Sequence, residues 1–202
     1  MKDELERAVG RHVSRETFEK LQAFAALLKE ENERQNLISA STLDDLWRRH
    51  ILDSVQLARF EPASGASWID IGSGAGLPGI VLACLVEGPV TLVEPRRLRV
   101  EFLHKAIASL RIAVTIEQKQ AKAATGRFDV ITARAVAPLA KFLEISSHLS
   151  TTKTWWVLPK GRSAEDELAQ ACRAWHGVFH VERSFTDSDS MIVIGTDVRA
   201  RT

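Results

Sequence analysis

The chain has 202 residues, of which 45% are hydrophobic, and its 27 Lys and Arg residues nearly balance 26 Asp and Glu, for a formal net charge of +1. This length predicts one domain, or one domain with an extension. The balanced charge argues against a strongly basic nucleic-acid-binding protein, so we expect no DNA partner and expect any RNA contact to come from local basic clusters.

The cysteines and the apolar runs indicate the cellular compartment of the protein. Cys84 and Cys172 lie in apolar helical stretches, which is typical of small buried side chains rather than of a disulfide framework. Cys and His are too sparse for a zinc site of the usual spacing, so we predict no metal. The charged start resembles no signal peptide, and the longest apolar run, residues 80–86, is far shorter than the roughly 20 residues of a membrane span. We expect a cytoplasmic protein without a membrane partner.

Two helices are predicted in the first third of the chain. Residues 14–36 carry apolar side chains at helical spacing, and Ser14 precedes them as a candidate N-cap. A second helix is predicted from Ser41 to about Phe60, because Ser41 and Asp44 resemble an N-terminal capping signal and apolar residues again share one side.

The pattern changes after Pro62 and Gly65, which mark a boundary. We predict a helical N-terminal extension over residues 1–64, packed on a core of residues 65–202 that forms one globular unit. In the core, short apolar runs alternate with helical patterns, which indicates βαβ units and a parallel sheet. The predicted strands are Trp68–Ile71, Val90–Val93, Val114–Glu117, Phe128–Thr132 and Thr154–Leu158. The predicted helices are Leu77–Val86, Arg97–Leu110, Pro138–Leu149 and Ala164–Trp175.

The C-terminal end departs from this alternation. Val178–Ser184 and Met191–Gly195 are joined by a short, turn-rich link with no room for a helix, so they are expected to form a hairpin. The predicted fold class is therefore α/β, a doubly wound, mostly parallel seven-stranded sheet with one antiparallel strand.

A glycine-rich turn follows the first predicted strand and opens the next helix. It reads Asp-Ile-Gly-Ser-Gly-Ala-Gly-Leu-Pro-Gly over residues 70–79. Ligands of an open parallel sheet bind at the carboxyl ends of its strands, and glycines there let a ligand approach the backbone closely. We predict a ligand site that includes Asp70, Gly72, Gly74 and Gly76.

Two ligands compete for this turn. Gly74, Gly76 and Gly79 match the dinucleotide fingerprint, and Glu94 ends the next strand, where an acid suits a ribose. Asp70 discriminates between them, because a carboxylate opposes a pyrophosphate but suits the zwitterion S-adenosylmethionine (SAM). We favour SAM as the cofactor, with Glu94 on its ribose; a nicotinamide dinucleotide and a purely structural turn are the alternatives.

The segment after the fourth strand limits the choice of methyl acceptor. Residues 132–138 lack the Asn/Asp-Pro-Pro-aromatic pattern of enzymes that methylate exocyclic amines, and they present no general base. Methylation of a pyrimidine carbon needs a thiolate at a strand end, whereas Cys84 and Cys172 lie within predicted helices. A ring nitrogen such as guanine N7 has a free lone pair and no proton to lose, so positioning and electrostatics suffice for it.

Several segments, in order along nearly the whole chain, resemble the bacterial RsmG (GidB) family, which methylates N7 of a guanine in 16S rRNA. They are Asn36-Leu37, Arg49–Ser54, Asp70–Ile80, Arg97–Leu103, Phe128-Asp129 with Arg134-Ala135, and Leu158–Gly161. The Arg-His-x-Leu-Asp-Ser segment ahead of Gly-Leu-Pro-Gly is specific, whereas the glycine run is shared by many methyltransferases. The resemblance implies a SAM-methyltransferase (Rossmann-like) fold, a guanine in the 530 loop as the acceptor, and 16S rRNA or the small ribosomal subunit as the partner.

The resemblance also implies particular cofactor contacts. These are at Gly72 and Leu77 in the turn, at Ala121 and Lys122 after the third strand, and at Arg134 after the fourth. The segment around Ala121 lacks the acidic residue that is common there, so the register of an adenine contact is open by one residue.

No catalytic residue is assigned, and three side chains are candidates for positioning the acceptor. Arg134 is expected to hold SAM or an RNA phosphate, Lys160 to donate to guanine O6 or to a phosphate, and His50 to lie at the mouth of the site. Each has a plainer interpretation as a salt bridge, a solvated lysine or a packing histidine. Rival functions are a small-molecule methyltransferase, with residues 1–60 as a lid, and a non-catalytic RNA-binding module. We expect a monomer.

Overall fold

A seven-stranded sheet with helices on both faces organises the computed structural model, which describes residues 1–201. The strands are β1 (Trp68–Ile71), β2 (Val90–Val93), β3 (Val114–Glu117), β4 (Val130–Thr132), β5 (Trp155–Lys160), β6 (Trp175–Arg183) and β7 (Met191–Ala200). The helices are α1 (Lys2–Val9), α2 (Arg15–Gln35), α3 (Asp53–Val55), α4 (Gly79–Ala83), α5 (Arg97–Leu110), α6 (Leu139–Ser146) and α7 (Ala164–Ala171). Within the described residues, no helix is both long and apolar enough to cross a bilayer.

The strand order is β3-β2-β1-β4-β5-β7-β6, with β1 to β5 mutually parallel and β7 antiparallel to both of its neighbours. This confirms the predicted doubly wound sheet with one antiparallel strand. The winding reverses at β1, which lies between β2 and β4, so the carboxyl ends of these three strands open onto the same edge of the sheet.

Each face of the sheet carries its own core. Trp155 and Trp156 are neighbours in β5 and point to opposite faces, because successive side chains of a strand alternate between its two faces. Trp156 is fully buried and meets Phe142 of α6 edge to face at 6.0 Å between ring centroids. The core on the other face includes Leu21 and Phe24 of α2, so the N-terminal residues and the strands share one core.

The predicted bounds of β1, β2, β3 and α5 are confirmed, whereas several others were wrong. The helix predicted at Ala164–Trp175 ends at Ala171, and Trp175 instead begins β6, because it pairs with Ala200 at the far end of β7. The hairpin is therefore longer than predicted. The helix predicted from Leu77 begins at Gly79, since the glycine turn continues to that point.

The N-terminal region was also predicted only in part. Ser14 caps α2 as expected, because its Oγ accepts from the Thr17 N–H at 3.0 Å. The short helix α1 was not predicted. The single helix predicted from Ser41 to Phe60 is wrong: a π-helical turn at Trp47–Leu52, α3 and a 3₁₀ turn at Gln56–Phe60 take its place. The hydroxyl of Ser41 hydrogen-bonds to that of Ser39 and does not cap a helix.

Candidate active site

The glycine turn between β1 and α4 is tied to the end of β2. The N–H groups of Gly72 and Ser73 both donate to the Val93 carbonyl, at 2.8 and 3.1 Å. The three glycines of the D-x-G-x-G-x-G run have positive φ, 72° at Gly72, which a residue with a side chain adopts only with strain. A Cβ at Gly79 would overlap the Leu92 side chain, so glycine there lets α4 pack directly on the sheet.

Asp70 lies behind this turn and is 1% exposed. Its Oδ2 accepts from the Gly79 N–H at 3.0 Å, whereas its Oδ1 is buried without a hydrogen-bond partner. Burial raises the pKa of this carboxyl to about 7, although the hydrogen bond from Gly79 acts in the opposite direction. The orphaned oxygen is the kind of atom that a cationic ligand group would satisfy.

Glu94 closes β2 and is 3% exposed. Its Oε2 accepts from the Gly74 N–H and its Oε1 from the Arg96 N–H, each at 2.9 Å. The carboxylate therefore joins the glycine turn to the loop before α5, and its position is fixed from both sides.

A cavity of about 360 Å³, called cavity A below, opens beside Glu94. It is lined by Ile71, Gly72, Val93, Glu94, Pro95, Arg96, Arg99, Gln120, Ala121, Lys122, Ala135, Val136 and Ile145. Four of the predicted cofactor residues therefore meet here, Ala121 and Lys122 among them. Leu77, by contrast, is buried in the core.

A second cavity of about 410 Å³, called cavity B, lies on the β5 side of the β4 end. Its lining includes Asp53, Gln56, Arg134, Lys160, Glu167, Ser184 and Met191. The predicted positioning residues Arg134 and Lys160 therefore share one cavity, which is separate from cavity A. Ala135 and Val136 line both cavities, and we call residues 134–137 the ridge.

His50 orients the guanidinium of Arg134. Arg134 Nη2 lies 2.9 Å from His50 Nδ1, and because a guanidinium only donates, Nδ1 must accept. The proton then resides on Nε2, which donates to Thr42 Oγ1 at 2.8 Å. Burial, helped by the charges of Arg134 and Arg49, lowers the His50 pKa to about 4. His50 is therefore neutral at pH 7, with both ring nitrogens engaged.

Lys160 is half-buried and paired rather than solvated. Its Nζ donates to the Ala137 carbonyl and to Glu167 Oε2, each at 2.9 Å. Glu167 Oε2 also accepts from the Leu139 N–H at 2.8 Å. Burial raises the Glu167 pKa, but hydrogen bonds from Lys160 and Ser163 outweigh it, so the net pKa is lowered and the carboxylate stays charged.

Asp53 is the remaining carboxylate of cavity B. Its Oδ1 accepts from the Thr186 hydroxyl at 2.8 Å and from Gln56 Nε2 at 2.9 Å, and its Oδ2 lies 3.6 Å from Arg134 Nη1. Each ionisable side chain that lines cavity B therefore already has a protein partner.

Within the part of the chain that the structure describes, no cysteine lines cavity A or cavity B. Burial raises the pKa of the Cys84 thiol to about 12, so it is not a nucleophile at neutral pH. Among residues 1–201, no group of three or more His, Cys, Asp or Glu side chains is arranged to hold a metal ion.

Sequence analysis missed several residues that shape the site. Thr42 and Gln56 are ordinary polar residues near His50 and Asp53 in sequence, and nothing in the local pattern marks them. Thr186 is distant in sequence, and only the fold brings it to Asp53. Val136 carries no signal in the sequence beyond being apolar.

The comparisons with known proteins agree on one family. The family model GidB, described as rRNA small subunit methyltransferase G, matches residues 17–189. The ribosomal RNA small subunit methyltransferase G of Zymomonas mobilis is 48% identical over 198 residues, covering 94% of this chain and 90% of its own. The protein of the same name from Gluconobacter oxydans is 40% identical and covers 93% of this chain and 97% of its own.

Solved structures share the fold at low identity. The ribosomal protein L11 methylase from Lactobacillus delbrueckii subsp. bulgaricus superposes with a TM-score of 0.61 at 12% identity, covering 76% of this chain and 79% of its own. A point variant of MtNAS in complex with S-adenosylmethionine gives 0.59 at 18% identity, covering 84% and 72%. These likenesses confirm the Rossmann-like form of the sheet predicted from the sequence.

Proposed function

Since the chain belongs to the GidB family of rRNA small subunit methyltransferase G proteins, we propose that it methylates N7 of a guanine in the 530 loop of 16S rRNA. It is a SAM-dependent methyltransferase of 16S rRNA. When bound, SAM supplies an electrophilic methyl group on a sulfonium centre. The rest of the reaction depends on how this chain holds the donor and the base.

The residues at cavity A fit SAM. The turn that borders the cavity has no side chain at Gly72, and Asp70 behind it keeps one buried carboxylate oxygen without a partner, which suits the ammonium of SAM. Glu94 is held at the end of β2 with an acceptor for ribose hydroxyls. We assign the ribose to Glu94 and the amino-acid end to the turn, with Asp70 behind it.

The remaining cofactor contacts follow the family pattern. We assign the adenine to the backbone of Ala121 and Lys122, which line cavity A together with Glu94. Gly74, Gly76 and Leu77 shape the turn, and Arg134 lies at the cavity B side of the ridge, where its guanidinium can meet either the carboxylate of SAM or a phosphate.

Cavity B is the place for the acceptor base, and its chemistry favours a ring nitrogen. The observation that carries the proposal is that every ionisable side chain of this cavity, and His50 beside it, is engaged by protein partners. Guanine N7 has no proton to lose, so its methylation does not require any of these groups as a general base, whereas methylation of a hydroxyl does. Positioning the lone pair in line with the methyl group is then the enzyme's main task.

We further propose that the protein acts as a monomer on rRNA within the small subunit or a precursor particle. One chain lines both cavities, so no second copy is needed to complete them. Because its substrate is ribosomal RNA, we place its action in the cytoplasm.

The test is an in vitro reaction with an identified product. Purified protein is incubated with methyl-labelled SAM and with small subunits isolated from cells that lack this modification, and the nucleosides are then separated by liquid chromatography and mass spectrometry. We expect label in 7-methylguanosine within a fragment that spans the 530 loop. Label in another methylated nucleoside, or in another region of the RNA, would contradict the proposal.

A further inference from the structure

The ridge is strained at its centre. Ala135 has a φ of 54°, in the left-handed region that residues with a side chain rarely adopt. Such a conformation persists only where the surrounding structure imposes it, and it is found preferentially at functional sites.

The ridge is also held at both ends. Arg134 hydrogen-bonds to His50 and faces Asp53, and the Ala137 carbonyl accepts from Lys160 at 2.9 Å. Because both ends are fixed, the left-handed turn at Ala135 sets where the next side chain, Val136, is placed.

Val136 occupies the boundary between the two cavities. It is 38% exposed, one of four large hydrophobic residues that stand out on the surface of the described chain, and the one among them that lines both cavities. Its side chain lies over the glycine turn: a Cβ added at Gly72 would come within 2.8 Å of Val136 Cγ2. A branched apolar side chain at the junction of two cavities is placed to pack against an apolar surface of a ligand bound there.

The acceptor base supplies such a surface. The edges of guanine are polar and suit the guanidinium and ammonium groups of cavity B, whereas its ring faces are apolar and pack on side chains that project from a site. Ala135 and Val136 both line the two cavities, and Val136 has the larger apolar side chain of the pair.

We propose that Val136 packs against a ring face of the acceptor guanine and thereby sets N7 towards the methyl group held in cavity A. This inference rests on the function proposed above and adds an apolar base contact to it. The left-handed turn at Ala135 and the hydrogen bonds at Arg134 and Ala137 hold the Val136 side chain in position for this contact.

The experiment compares Val136→Ala and Val136→Ile with the whole wild-type protein on unmodified small subunits. Removing two methyl groups is expected to lower kcat/KM for the subunit roughly fivefold to tenfold, given the usual value of a buried methylene. Val136→Ile keeps the apolar contact and is expected to stay within about twofold of wild type. The SAM dissociation constant, measured by calorimetry, is expected to remain within about twofold for both variants, and both should unfold at the wild-type temperature.

Val178→Ala is the matched control. Val178 is an exposed valine on β6, 66% accessible and outside both cavities, so its truncation should leave kcat/KM unchanged. If Val136→Ala left kcat/KM within twofold, or weakened SAM binding as much as it slowed methyl transfer, the proposal for Val136 would be overturned while the 7-methylguanosine product stood. A wild-type product other than 7-methylguanosine would instead overturn the proposed function, and the guanine contact with it.

Discussion

At the scale of single residues, the proposed SAM site depends most on Glu94, to which the ribose is assigned. Glu94→Gln removes the charge and replaces one of the two oxygens that accept from the Gly74 and Arg96 N–H groups with an NH₂ group, which cannot accept. Because a hydrogen bond to a charged group contributes about 1.5–3 kcal/mol, we expect SAM affinity to fall roughly thirtyfold in calorimetry. The lost acceptor is also expected to lower the unfolding temperature by several degrees, so binding is measured well below that temperature.

Glu117→Gln provides the control for this change. Glu117 ends the neighbouring strand β3 and does not line cavity A, so the variant should bind SAM as the wild type does. Equal SAM affinity for Glu94→Gln and Glu117→Gln would remove Glu94 from the site.

Asp70 makes a second prediction, on the pH dependence of stability. Its pKa is raised by burial from 3.8 to about 7, so between about pH 4 and pH 7 the folded state holds a proton that the unfolded chain has lost. Stability from this residue is therefore present at low pH and is lost as the pH rises to 7. The amide side chain of the Asp70→Asn variant does not titrate, so the variant keeps its stability as the pH rises. Its free energy of unfolding relative to wild type should therefore increase by a few kcal/mol from about pH 4 to pH 7, since one pKa unit corresponds to about 1.4 kcal/mol.

Denaturant unfolding followed by tryptophan fluorescence measures this difference, since the chain has five tryptophans. The lowered pKa of His50 acts in the opposite sense, with stability lost as the pH falls from about 6.5 to 4, but it is common to both proteins. If the curves of stability against pH run parallel for wild type and Asp70→Asn, the carboxyl of Asp70 is not protonated as described.

The sequence predicts the site role of some of these residues but not the conformation or protonation of others. Asp70, Gly72 and Glu94 belong to a contiguous turn and to the end of the next strand, where local pattern and chemistry coincide. The left-handed backbone at Ala135 has no local signal, because glycine or asparagine would be expected there. This conformation is held by the hydrogen bonds of Arg134 with His50 and of Lys160 with Ala137, and the neutral tautomer of His50 is likewise set by its hydrogen bonds.

At the scale of elements, the helical segment 47–60 is fastened to the turn between β6 and β7. Gln56 is 1% exposed and bridges the two: its Nε2 donates to Asp53 Oδ1 and to Ser184 Oγ, and its Oε1 accepts from the Phe185 N–H at 2.7 Å. Arg49 adds an ion pair to Asp187 at 2.7 Å. This link holds Asp53 at the wall of cavity B.

We expect Gln56→Ala to lower the free energy of unfolding by about 2–3 kcal/mol, because it leaves the partly buried Phe185 N–H without its partner and removes a buried side chain. Denaturant titration gives the value. Gln170→Ala, at an exposed position of α7, is the control and should change stability by less than about 0.5 kcal/mol. A loss for Gln56→Ala no larger than that of the control would show that the link contributes nothing to stability.

The same region shows where element prediction fails. The bounds of β1, β2 and α5 follow from local patterns of apolar residues, since β1 and β2 are almost fully buried and α5 has buried residues spaced along one side. Segment 47–60 has helical periodicity too, but its backbone changes from π-helical to 3₁₀ geometry within fourteen residues. The side-chain bonds of Gln56 and Asp53 to a distant turn accompany that irregularity, and a local pattern carries no information about them.

At the scale of the whole molecule, we propose that residues 1–64 are an integral part of one folding unit. The core beneath one face of the sheet contains the fully buried Leu5, Phe24 and Leu28 together with Trp68 and Leu92. Without the N-terminal residues, that face would expose a large apolar surface.

A fragment of residues 65–202 is therefore expected not to unfold cooperatively. Circular dichroism and denaturant titration of the fragment and of the full chain test this prediction. As a control, a separate 1–64 peptide is added to see whether cooperative unfolding returns. A fragment that unfolds cooperatively on its own with near-native stability would show that the two parts are independent domains.

The central claim, methylation of guanine N7 in 16S rRNA, is tested most directly in cells. Mass spectrometry of 16S rRNA fragments that span the 530 loop is compared between cells with the gene, cells lacking it, and cells in which it is restored. The account predicts that 7-methylguanosine disappears from this region with the gene and returns with the wild-type copy. Its full retention in cells lacking the gene would contradict the account.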